Sequence, residues 1–374
     1  MASIYLDNNA TTALDPAVLA EMLPFLSGSP GNASSKHGFG RKARQAVERS
    51  RERIASALDC DPSEVVFTSG ATEANNLACN AFAGVGRVLV SAVEHPSAHE
   101  PMLELRKHGC DVEEIPVDAC GRVNVNAFDP SGARLVCVQL ANSETGAVQP
   151  IAELAAKANG IRFHCDAVQA IGKLPVSFRS LGVASMAISG HKIHGPPGVG
   201  ALIVRRDAPL LPAMHGGGQQ AGARPGTEPV ALIVGLAASV ELASNVMSAE
   251  SARQSTLRDR FERLLIERNT TLVFNPGPDC PRLPNTSNIS FPGVPAAAMV
   301  MRLDLEGVAC SAGSACSSGS ITPSRVLAAM GYSGDRLVGA VRFSLGRFTT
   351  DQDVDGAAET IAAVYEKVRA GFSH

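Results

Sequence analysis

One lysine stands apart from the others by its surroundings. Lys192 lies in SGHKIHGPPGVG, directly after a strand predicted at 184–188 and between two histidines. A lysine at the end of a buried strand is desolvated, which lowers the pKa of its amine and suits it to form a Schiff base. A loop lysine paired with a carboxylate is the alternative, and the local sequence does not separate the two. The other six lysines lie in polar contexts, which predicts that they are solvated.

The segment FTSGATEANN, residues 67–76, joins a predicted strand to a predicted helix through small residues. Backbone N–H groups at such a helix start can hold a phosphate, with hydroxyl groups adding contacts. An ordinary helix capped by Ser69 or Thr72 explains the same pattern, and the local sequence favours it. The segment is not a P-loop, because no GK[ST] follows.

Polar side chains follow two other predicted strands. Asp166, in HCDAVQ, could hold a proton on a heteroaromatic nitrogen, as pyridoxal phosphate requires. His95, in EHP, could stack on a flat cofactor or exchange protons. A helix-capping aspartate and a satisfied loop histidine are the alternatives. Ligands of open α/β sheets bind outside the carboxyl ends of the strands, so these groups are expected to converge there with Lys192.

The nine cysteines are scattered, odd in number and without a C-x-x-C pair, which disfavours a disulfide framework or a zinc ribbon. Cys137 and Cys165 lie in strand-like runs and are predicted to be buried. Cys316 lies in CSAGSACSSGS, where small neighbours suit an exposed, mobile thiol. A buried cysteine in a tight turn is the alternative. A Cys310–Cys316 disulfide or metal pair lacks a supporting histidine or second cysteine pair.

The composition indicates a folded protein with no surface dedicated to nucleic acid or anionic membranes. Hydrophobic residues make up 45% and charged residues 18% of the 374 residues, and the net charge is −3. The longest apolar stretch, residues 230–238, is broken by Gly235 and is shorter than the roughly 20 residues of a membrane helix. The first residues, MASIYLDNNATT, lack the pattern of a secretory signal, so a cytoplasmic location is expected.

Short apolar runs alternate with helical patterns through the first 250 residues, which predicts a mostly parallel, buried sheet. Helical patterns with a 3.6-residue period are predicted at 40–58 and from 229 to 269. A large domain over residues 15–250 and a small α+β domain over 251–374 are expected, with residues 1–14 packing on the small domain. The strands within the first 250 residues are predicted at 4–6, 65–68, 87–90, 112–115, 135–140, 161–164, 184–188 and 201–204. The small domain is predicted to hold strands at 288–291 and 340–344 and helices at 296–305, 323–330 and after 351.

Eleven ordered segments resemble the cysteine desulfurases of the NifS/IscS type, in the class V aminotransferase group of fold-type I pyridoxal-phosphate enzymes. They cover nearly the whole chain, which makes the set far more specific than any single pattern. The segments are YLDNNATT (5–12), GNASSKHGFG (31–40), FTSGATEANN (67–76), EHP (94–96), QLANSETGAVQP (139–150), DAVQ (166–169), SGHKIHGPPGVG (189–200), RPGTEP (224–229), LPNTSNISFPG (283–293), GSACSSG (313–319) and VRFSLGRFTT (341–350).

The resemblance implies a homodimer with a mostly parallel seven-stranded sheet, flanked by helices, in its large domain. It also implies pyridoxal 5'-phosphate as the cofactor and assigns a role to each matching residue. Lys192 binds the cofactor covalently, Asp166 pairs with the pyridinium nitrogen, Gln169 contacts the ring oxygen, and His95 stacks on the ring and moves protons. The remaining contacts are implied for the phosphate (Ala71, Thr72, Ser189, His191 and, from the partner subunit, Thr227), for the cofactor oxygen and substrate (Asn142), and for the substrate carboxylate (Arg342).

The implied reaction converts L-cysteine to L-alanine, with the sulfur carried as a persulfide on Cys316 and passed to an acceptor. An iron–sulfur scaffold protein is the commonest acceptor, while tRNA thiolation and a nitrogenase-linked role stay open. The stretch from Cys316 to Arg342 resembles the subgroup with a long loop, which serves scaffold proteins. Gln220 and Ala221 depart from the acidic–basic pair common in the family, in a loop near the subunit boundary of relatives.

Two other functions are compatible with parts of this pattern. A selenocysteine lyase or related C–S lyase of the same fold works without an essential thiol, so dependence on Cys316 separates it from a desulfurase. A non-catalytic sulfur-relay subunit predicts the loss of Lys192 or Asp166, and both residues are present.

Overall fold

The computed structural model describes residues 3–28, 30–80, 86–208, 210–313 and 323–372. Cys316 lies outside these described residues, so its implied role stays a prediction.

Helices and strands alternate along the described residues. The helices are α1 (Pro16–Leu23), α2 (Gly38–Leu58), α3 (Ala71–Asn80), α4 (Pro96–Glu104), α5 (Ile151–Lys157), α6 (Phe178–Leu181), α7 (Val230–Arg268), α8 (Ala296–Leu305), α9 (Arg325–Ala329), α10 (Gly334–Val338) and α11 (Asp351–Phe372). The strands are β1 (Ile4–Tyr5), β2 (Val65–Thr68), β3 (Arg87–Ser91), β4 (Asp111–Ile115), β5 (Ala133–Cys137), β6 (Arg162–Asp166), β7 (Ser185–Ser189), β8 (Gly200–Val204), β9 (Val273–Asn275), β10 (Thr286–Ser290), β11 (Val308–Ala309), β12 (Ser311–Ala312) and β13 (Ala340–Ser344).

A seven-stranded sheet with the order β2–β8–β7–β6–β5–β3–β4 forms the centre of the larger layer. Only β8 runs against its neighbours, β2 and β7, so the predicted mostly parallel α/β sheet is confirmed. Strand β5 ends earlier than predicted, but the chain stays extended and donates from Val138 to the His164 carbonyl and from Leu140 to the Asp166 carbonyl. The apolar run therefore predicted the extended conformation correctly. The strand itself ends at Cys137, because regular pairing with β6 stops there.

The carboxyl ends of the parallel strands gather the polar segments at one edge of the sheet. Strand β6 ends at Asp166, and β7 ends at Ser189 just before Lys192. Strand β2 leads into α3, and β3 leads into the turn that holds His95. Because β2, β3, β6 and β7 run in the same direction, the four segments lie where such sheets bind ligands.

A second core forms around the antiparallel sheet β12–β13–β10–β9. Its aromatic centre includes Phe291, whose ring lies 5.2 Å from Tyr365 and 6.4 Å from Phe343. Strand β1 pairs in parallel with β11, which brings residues 4–5 to this core. The predicted domain limit at 250/251 falls inside the continuous helix α7, and the domain limits stay a prediction.

Helix α7 is the one described helix that is long and apolar enough to cross a membrane by composition. Its most apolar window is 56% buried inside the protein. Its first three turns, including Ile233, Leu236 and Val240, belong to the core beneath the large sheet. This burial is typical of a core helix in a folded domain.

A disulfide joins Cys120 and Cys280, against the expectation drawn from the scattered cysteine spacing. The two residues are 160 positions apart, and their Cα atoms lie 5.5 Å apart. Arg282 forms a bridge to Ala147, and a Cβ atom on Gly121 would lie 3.4 Å from the same alanine. Tertiary packing therefore brings the two loops together, which no sequence spacing reveals. The predicted burial of Cys137 and Cys165 is confirmed.

Candidate active site

Lys192 lies at the end of a short turn after β7 and reaches back to the N-terminal segment. Its Nζ atom donates to the carbonyl oxygens of Asn9 and Ala10, at 2.7 Å each. Thr12 fastens the two segments, because its N–H and hydroxyl both donate to the carbonyl of His191. Main-chain oxygens of the N-terminal segment therefore help to position the amine.

Gln169 meets Lys192 at the same carbonyl oxygen. The Gln169 amide donates from Nε2 to the Asn9 carbonyl at 2.9 Å. Asp166, three residues earlier, accepts from the Val168 N–H at 3.0 Å and from the Asn75 amide at 2.8 Å. Asp166 and Gln169 are both buried, so an amide is fixed beside the lysine and a carboxylate is fixed three residues before that amide in the chain.

Lys173 is buried, which corrects the prediction that it is a solvated surface residue. Its Nζ atom donates to the carbonyl oxygen of Gln169 at 3.1 Å and to the side-chain Oε1 at 3.0 Å. Burial lowers the pKa of Lys173 to about 7, and the positive charges of Lys192 and Arg342 add to the shift. The neighbours of Lys173 in IGKLPV are mostly apolar, which is the local signal for burial, and Gln169, four residues earlier, was the available partner.

His95 caps the N-terminus of α4. Its Nδ1 atom accepts from the Ser97 N–H at 3.1 Å and lies 2.8 Å from the Ser97 hydroxyl. Partial burial lowers the pKa of His95; the charge of Asp166 opposes this shift, and Lys192 reinforces it. The Ser97 hydroxyl also accepts from Asn75, which donates to Asp166, so the ring lies at the same edge of the sheet as Asp166.

The start of α3 and the end of β7 lie against each other at the edge of the cleft. A Cβ atom on Gly200, the partner of Ser189, would approach the Gly70 Cα to 2.9 Å, so only glycine fits there. Among the described residues, no partner is seen for the N–H groups of Ala71 and Thr72 in the first turn. Such N–H groups are suited to an anion.

His191 lies in the short turn between β7 and Lys192. Its Nδ1 atom is 3.2 Å from the Thr11 hydroxyl. Burial lowers the pKa of His191 to about 4, with a further contribution from Lys192. The imidazole is therefore neutral near pH 7 and acts by hydrogen bonding.

Arg342 lies on β13, which brings the second core to the cleft. One Nη atom donates to Asp7 at 2.6 Å, and the other donates to the Ser143 carbonyl at 3.3 Å. Its Nε atom is buried and has no hydrogen-bond partner among the described residues. An unused guanidinium donor of this kind suits a carboxylate ligand.

Asn142 shapes the loop next to Arg342. Its Nδ2 atom donates to the Val93 carbonyl at 3.0 Å, and its Oδ1 atom accepts from the N–H groups of Glu144 and Thr145. The amide is buried and fixes the turn. Its implied contact with cofactor and substrate stays a prediction.

Thr227 is exposed in the loop that follows the glycine-rich segment. Arg224 ties this loop to α3 by an ion pair with Glu73 at 2.7 Å. The implied contact of Thr227 with the phosphate of the other subunit stays a prediction.

Gln220, one of the two departures from the family pattern, has a structural role. It is buried, and its Oε1 atom accepts from the Phe67 N–H at 3.0 Å and from Arg51 at 3.2 Å. Its amide also donates to Glu228. Strand β2 lies at the edge of the sheet, so one side of it has no neighbouring strand. Gln220 accepts the hydrogen bond of the Phe67 N–H on that side.

Replacement of Gln220 by alanine is expected to lower the free energy of unfolding by about 1–3 kcal/mol, because the buried Phe67 N–H loses its acceptor. Gln219→Ala is the matched control, since Gln219 accepts a single exposed bond from Gly226. That variant is expected to change stability by less than about 0.5 kcal/mol. Denaturant titration at one protein concentration measures both, and equal effects would contradict the role of Gln220.

The described residues fit pyridoxal 5'-phosphate. Asp166 offers a buried acceptor for a ring nitrogen, and Lys192 offers an amine. The unpartnered N–H groups at the start of α3 and the neutral His191 suit a phosphate. Over the described ranges, no group of three or more His, Cys, Asp or Glu residues could hold a metal ion.

Several known proteins are similar to the chain in sequence and fold. The sequence profile described as aminotransferase class-V matches residues 4–356. A cysteine desulfurase of Sinorhizobium fredii is 43% identical over 381 residues, covering 99% of this chain and 98% of its own length. The cysteine desulfurase IscS of Dictyoglomus turgidum is 42% identical and covers 98% of this chain and 95% of its own.

A solved structure described as a NifS-like protein superposes with a TM-score of 0.90 at 34% identity. The alignment covers 98% of this chain and 100% of that one. The chain belongs to the class V aminotransferase family and, within it, to the cysteine desulfurases.

Proposed function

We propose that the chain binds pyridoxal 5'-phosphate in the cleft at Lys192 and converts L-cysteine to L-alanine, with the sulfur carried as a persulfide on Cys316. The observation that carries the proposal is the convergence of Lys192 and Gln169 on the Asn9 carbonyl, beside the buried Asp166. A selenocysteine lyase or related C–S lyase is the alternative.

When bound, pyridoxal phosphate supplies an electron-accepting ring that stabilises negative charge at the substrate α-carbon. Lys192 holds the cofactor and then moves the α-proton at its Nζ atom. Asp166 holds a proton at the ring nitrogen, and its contacts with Val168 and Asn75 keep it in place. The Nζ atom of Lys173 donates to Oε1 of Gln169. This bond leaves the amide N–H groups of Gln169 to face Asn9 and the ring oxygen.

Arg342 binds the substrate carboxylate. Asp7 holds one Nη atom, so the guanidinium is oriented before the substrate arrives. The buried Nε atom then gains a partner that it lacks among the described residues. The substrate is therefore oriented by a residue of the antiparallel sheet β12–β13–β10–β9.

Arg342→Lys is expected to raise KM for L-cysteine by about 10- to 100-fold, since the lysine cannot reproduce a two-point contact with a carboxylate. The value of kcat is expected to change less. Arg260→Lys is the control, because Arg260 pairs with Asp355 at the surface, outside the cleft. Steady-state assays of alanine formation measure both variants. An unchanged KM in Arg342→Lys would remove the carboxylate contact from the proposal.

The flanks of the Cys316 segment lie beside the cleft. A Cβ atom on Gly313 would clash with Glu144 Oε2, and the Ser324 hydroxyl donates to the same oxygen at 2.5 Å. Burial raises the pKa of Glu144 to about 7. Three residues span at most about 11 Å, so the chain from Gly313 gives Cys316 a short tether to the side of the cleft that holds Arg342.

We further propose a homodimer, in which Thr227 of the partner subunit reaches the phosphate, and a cytoplasmic location. The acceptor of the sulfur is proposed to be a protein, with an iron–sulfur scaffold as the first candidate. The relatives are named for the desulfurase reaction alone.

The test uses purified protein loaded with pyridoxal phosphate and given ³⁵S-labelled L-cysteine without reductant. We expect alanine to form in step with label bound to the protein, on the peptide that contains Cys316. A thiol reductant is expected to release the label as sulfide. Label that appears directly in solution, with alanine but none on the protein, would favour the lyase.

A further inference from the structure

The asparagine at position 75 belongs to the FTSGATEANN motif but has no role in the proposed reaction. It is fully buried and lies between two residues that do have such roles. Its Nδ2 atom donates to Asp166 at 2.8 Å and to the Ser97 hydroxyl at 3.0 Å. Ser97 in turn contacts His95. A continuous chain of hydrogen bonds therefore connects the predicted partner of the ring nitrogen with the predicted stacking histidine.

The direction of each bond in this chain follows from chemistry. A carboxylate only accepts, so the amide group of Asn75 that faces Asp166 is the NH2 group. The opposite atom, Oδ1, lies 2.9 Å from His164 Nε2 and must accept from it. Burial lowers the pKa of His164 to about 4, so the neutral ring carries its single proton on Nε2 and accepts from Ser185 at Nδ1. Asn75 is thereby held in one orientation from both sides.

The same logic assigns the proton on His95. The main-chain N–H of Ser97 can only donate, and it donates to His95 Nδ1. The Ser97 hydroxyl accepts from Asn75, which turns its own hydrogen toward the same Nδ1 atom. A neutral His95 therefore has its proton on Nε2. Protonation of the ring at Nδ1 would have to displace the donors from Ser97.

We propose that Asn75 and Ser97 are positioning residues that hold His95 neutral, with its proton on Nε2, and tie its orientation to that of Asp166. The inference rests on the proposed roles of His95 and Asp166 at the cofactor. His95 then enters the reaction as a hydrogen-bond donor at the Nε2 edge, while Nδ1 serves the network.

The charged groups that face His95 act alongside this network. They come from strands β6 and β13, from the turn after β7 and from α9, and are Asp166, Arg342, Lys192 and Arg325. Removing the donors at Nδ1 takes away a stabilisation of the neutral ring, so the pKa of His95 is expected to rise. Removing Asn75 also leaves Asp166 with one donor fewer, which acts in the same direction.

The test is ¹H–¹⁵N NMR of protein labelled at histidine nitrogen, recorded with and without pyridoxal phosphate, with His95→Gln to identify the signal. In the unmodified chain, we expect Nδ1 of His95 to be unprotonated. In Asn75→Ala and Ser97→Ala, the main-chain N–H of residue 97 still donates to Nδ1, so we expect the same tautomer with a titration midpoint higher by about half a unit to one unit. Ser97→Thr keeps a hydroxyl and is expected to restore the original spectrum.

Asn76→Ala is the matched control, because Asn76 is the next asparagine on the same helix and donates to the Thr72 carbonyl instead. Its His95 signal is expected to stay unchanged. A proton on Nδ1 in the unmodified chain would overturn the inference, as would equal spectra in the Ser97→Ala and Asn76→Ala variants. The cofactor-free spectra test the network alone, so a failure to bind pyridoxal phosphate would count against the proposed function and not against the network.

Discussion

Replacement of Lys192 by alanine is expected to slow alanine formation from L-cysteine by at least about 1000-fold. A positioned general base alone contributes about 10²- to 10⁴-fold, and Lys192 also provides the covalent attachment of the cofactor. Its Nζ atom is placed by two main-chain oxygens, Asn9 and Ala10, and Lys173 is engaged with Gln169. Because Gln169 holds the amine of Lys173, that amine is not placed to replace Lys192 in the reaction.

The measurement is alanine release by the variant, together with the visible absorption of the bound cofactor, which should lose the contribution of the lysine linkage. Lys157→Ala is a close control. Lys157 also donates from Nζ to two main-chain oxygens, those of Val125 and Asn126 at 2.9 and 3.1 Å, but it does so at the surface. We expect this control to retain full activity. More than a tenth of the activity in Lys192→Ala would show that the reactive amine lies elsewhere.

Replacement of Cys316 by alanine is expected to abolish the protein-bound persulfide and to reduce turnover of L-cysteine by at least about 1000-fold. The loss of a nucleophile removes a whole step of a covalent mechanism, which costs far more than the loss of one contact. The described flanks of its segment, Gly313 and Ser324, meet at Glu144, next to the loop that faces Arg342.

Cys310→Ala provides the matched control in the same stretch of sequence. Burial raises the pKa of Cys310 to about 12, so this thiol is almost entirely protonated near pH 7 and is a poor nucleophile. We expect that variant to retain activity and persulfide. Full alanine formation in Cys316→Ala would favour the lyase, and a loss of persulfide in Cys310→Ala would identify a different sulfur carrier.

The sequence predicted the sheet well because its signals are local. Apolar runs mark the buried strands, and the helix at 40–58 follows from a 3.6-residue period. The polar residues that come directly after the strands predicted the cleft, because parallel strands bring their carboxyl ends together. For Asp166 and Lys192, position at a strand end was the informative signal.

What the sequence missed depends on contacts between distant segments. Lys173 was predicted to be solvated, and Gln220 was noted only as a departure from the family pattern in a loop, yet each has partners that only the folded chain provides. The Cys120–Cys280 disulfide closes over 160 residues. The link from His95 to Asp166 runs through Asn75, whose importance no local pattern indicates, because asparagine is common in loops and on helix surfaces.

Helix α7 joins the two hydrophobic cores in one rigid element. Its N-terminal turns pack into the core beneath the large sheet, while Leu257, Phe261 and Leu265 pack into the core around the small sheet. At 1.5 Å per residue, its 39 residues extend about 58 Å. If either core unfolds, the end of α7 that packs in it also unfolds, and this weakens the helix where it packs in the other core. The free energies of unfolding of the two cores are therefore coupled through α7. Cooperative unfolding of the cores is the consequence of that shared helix.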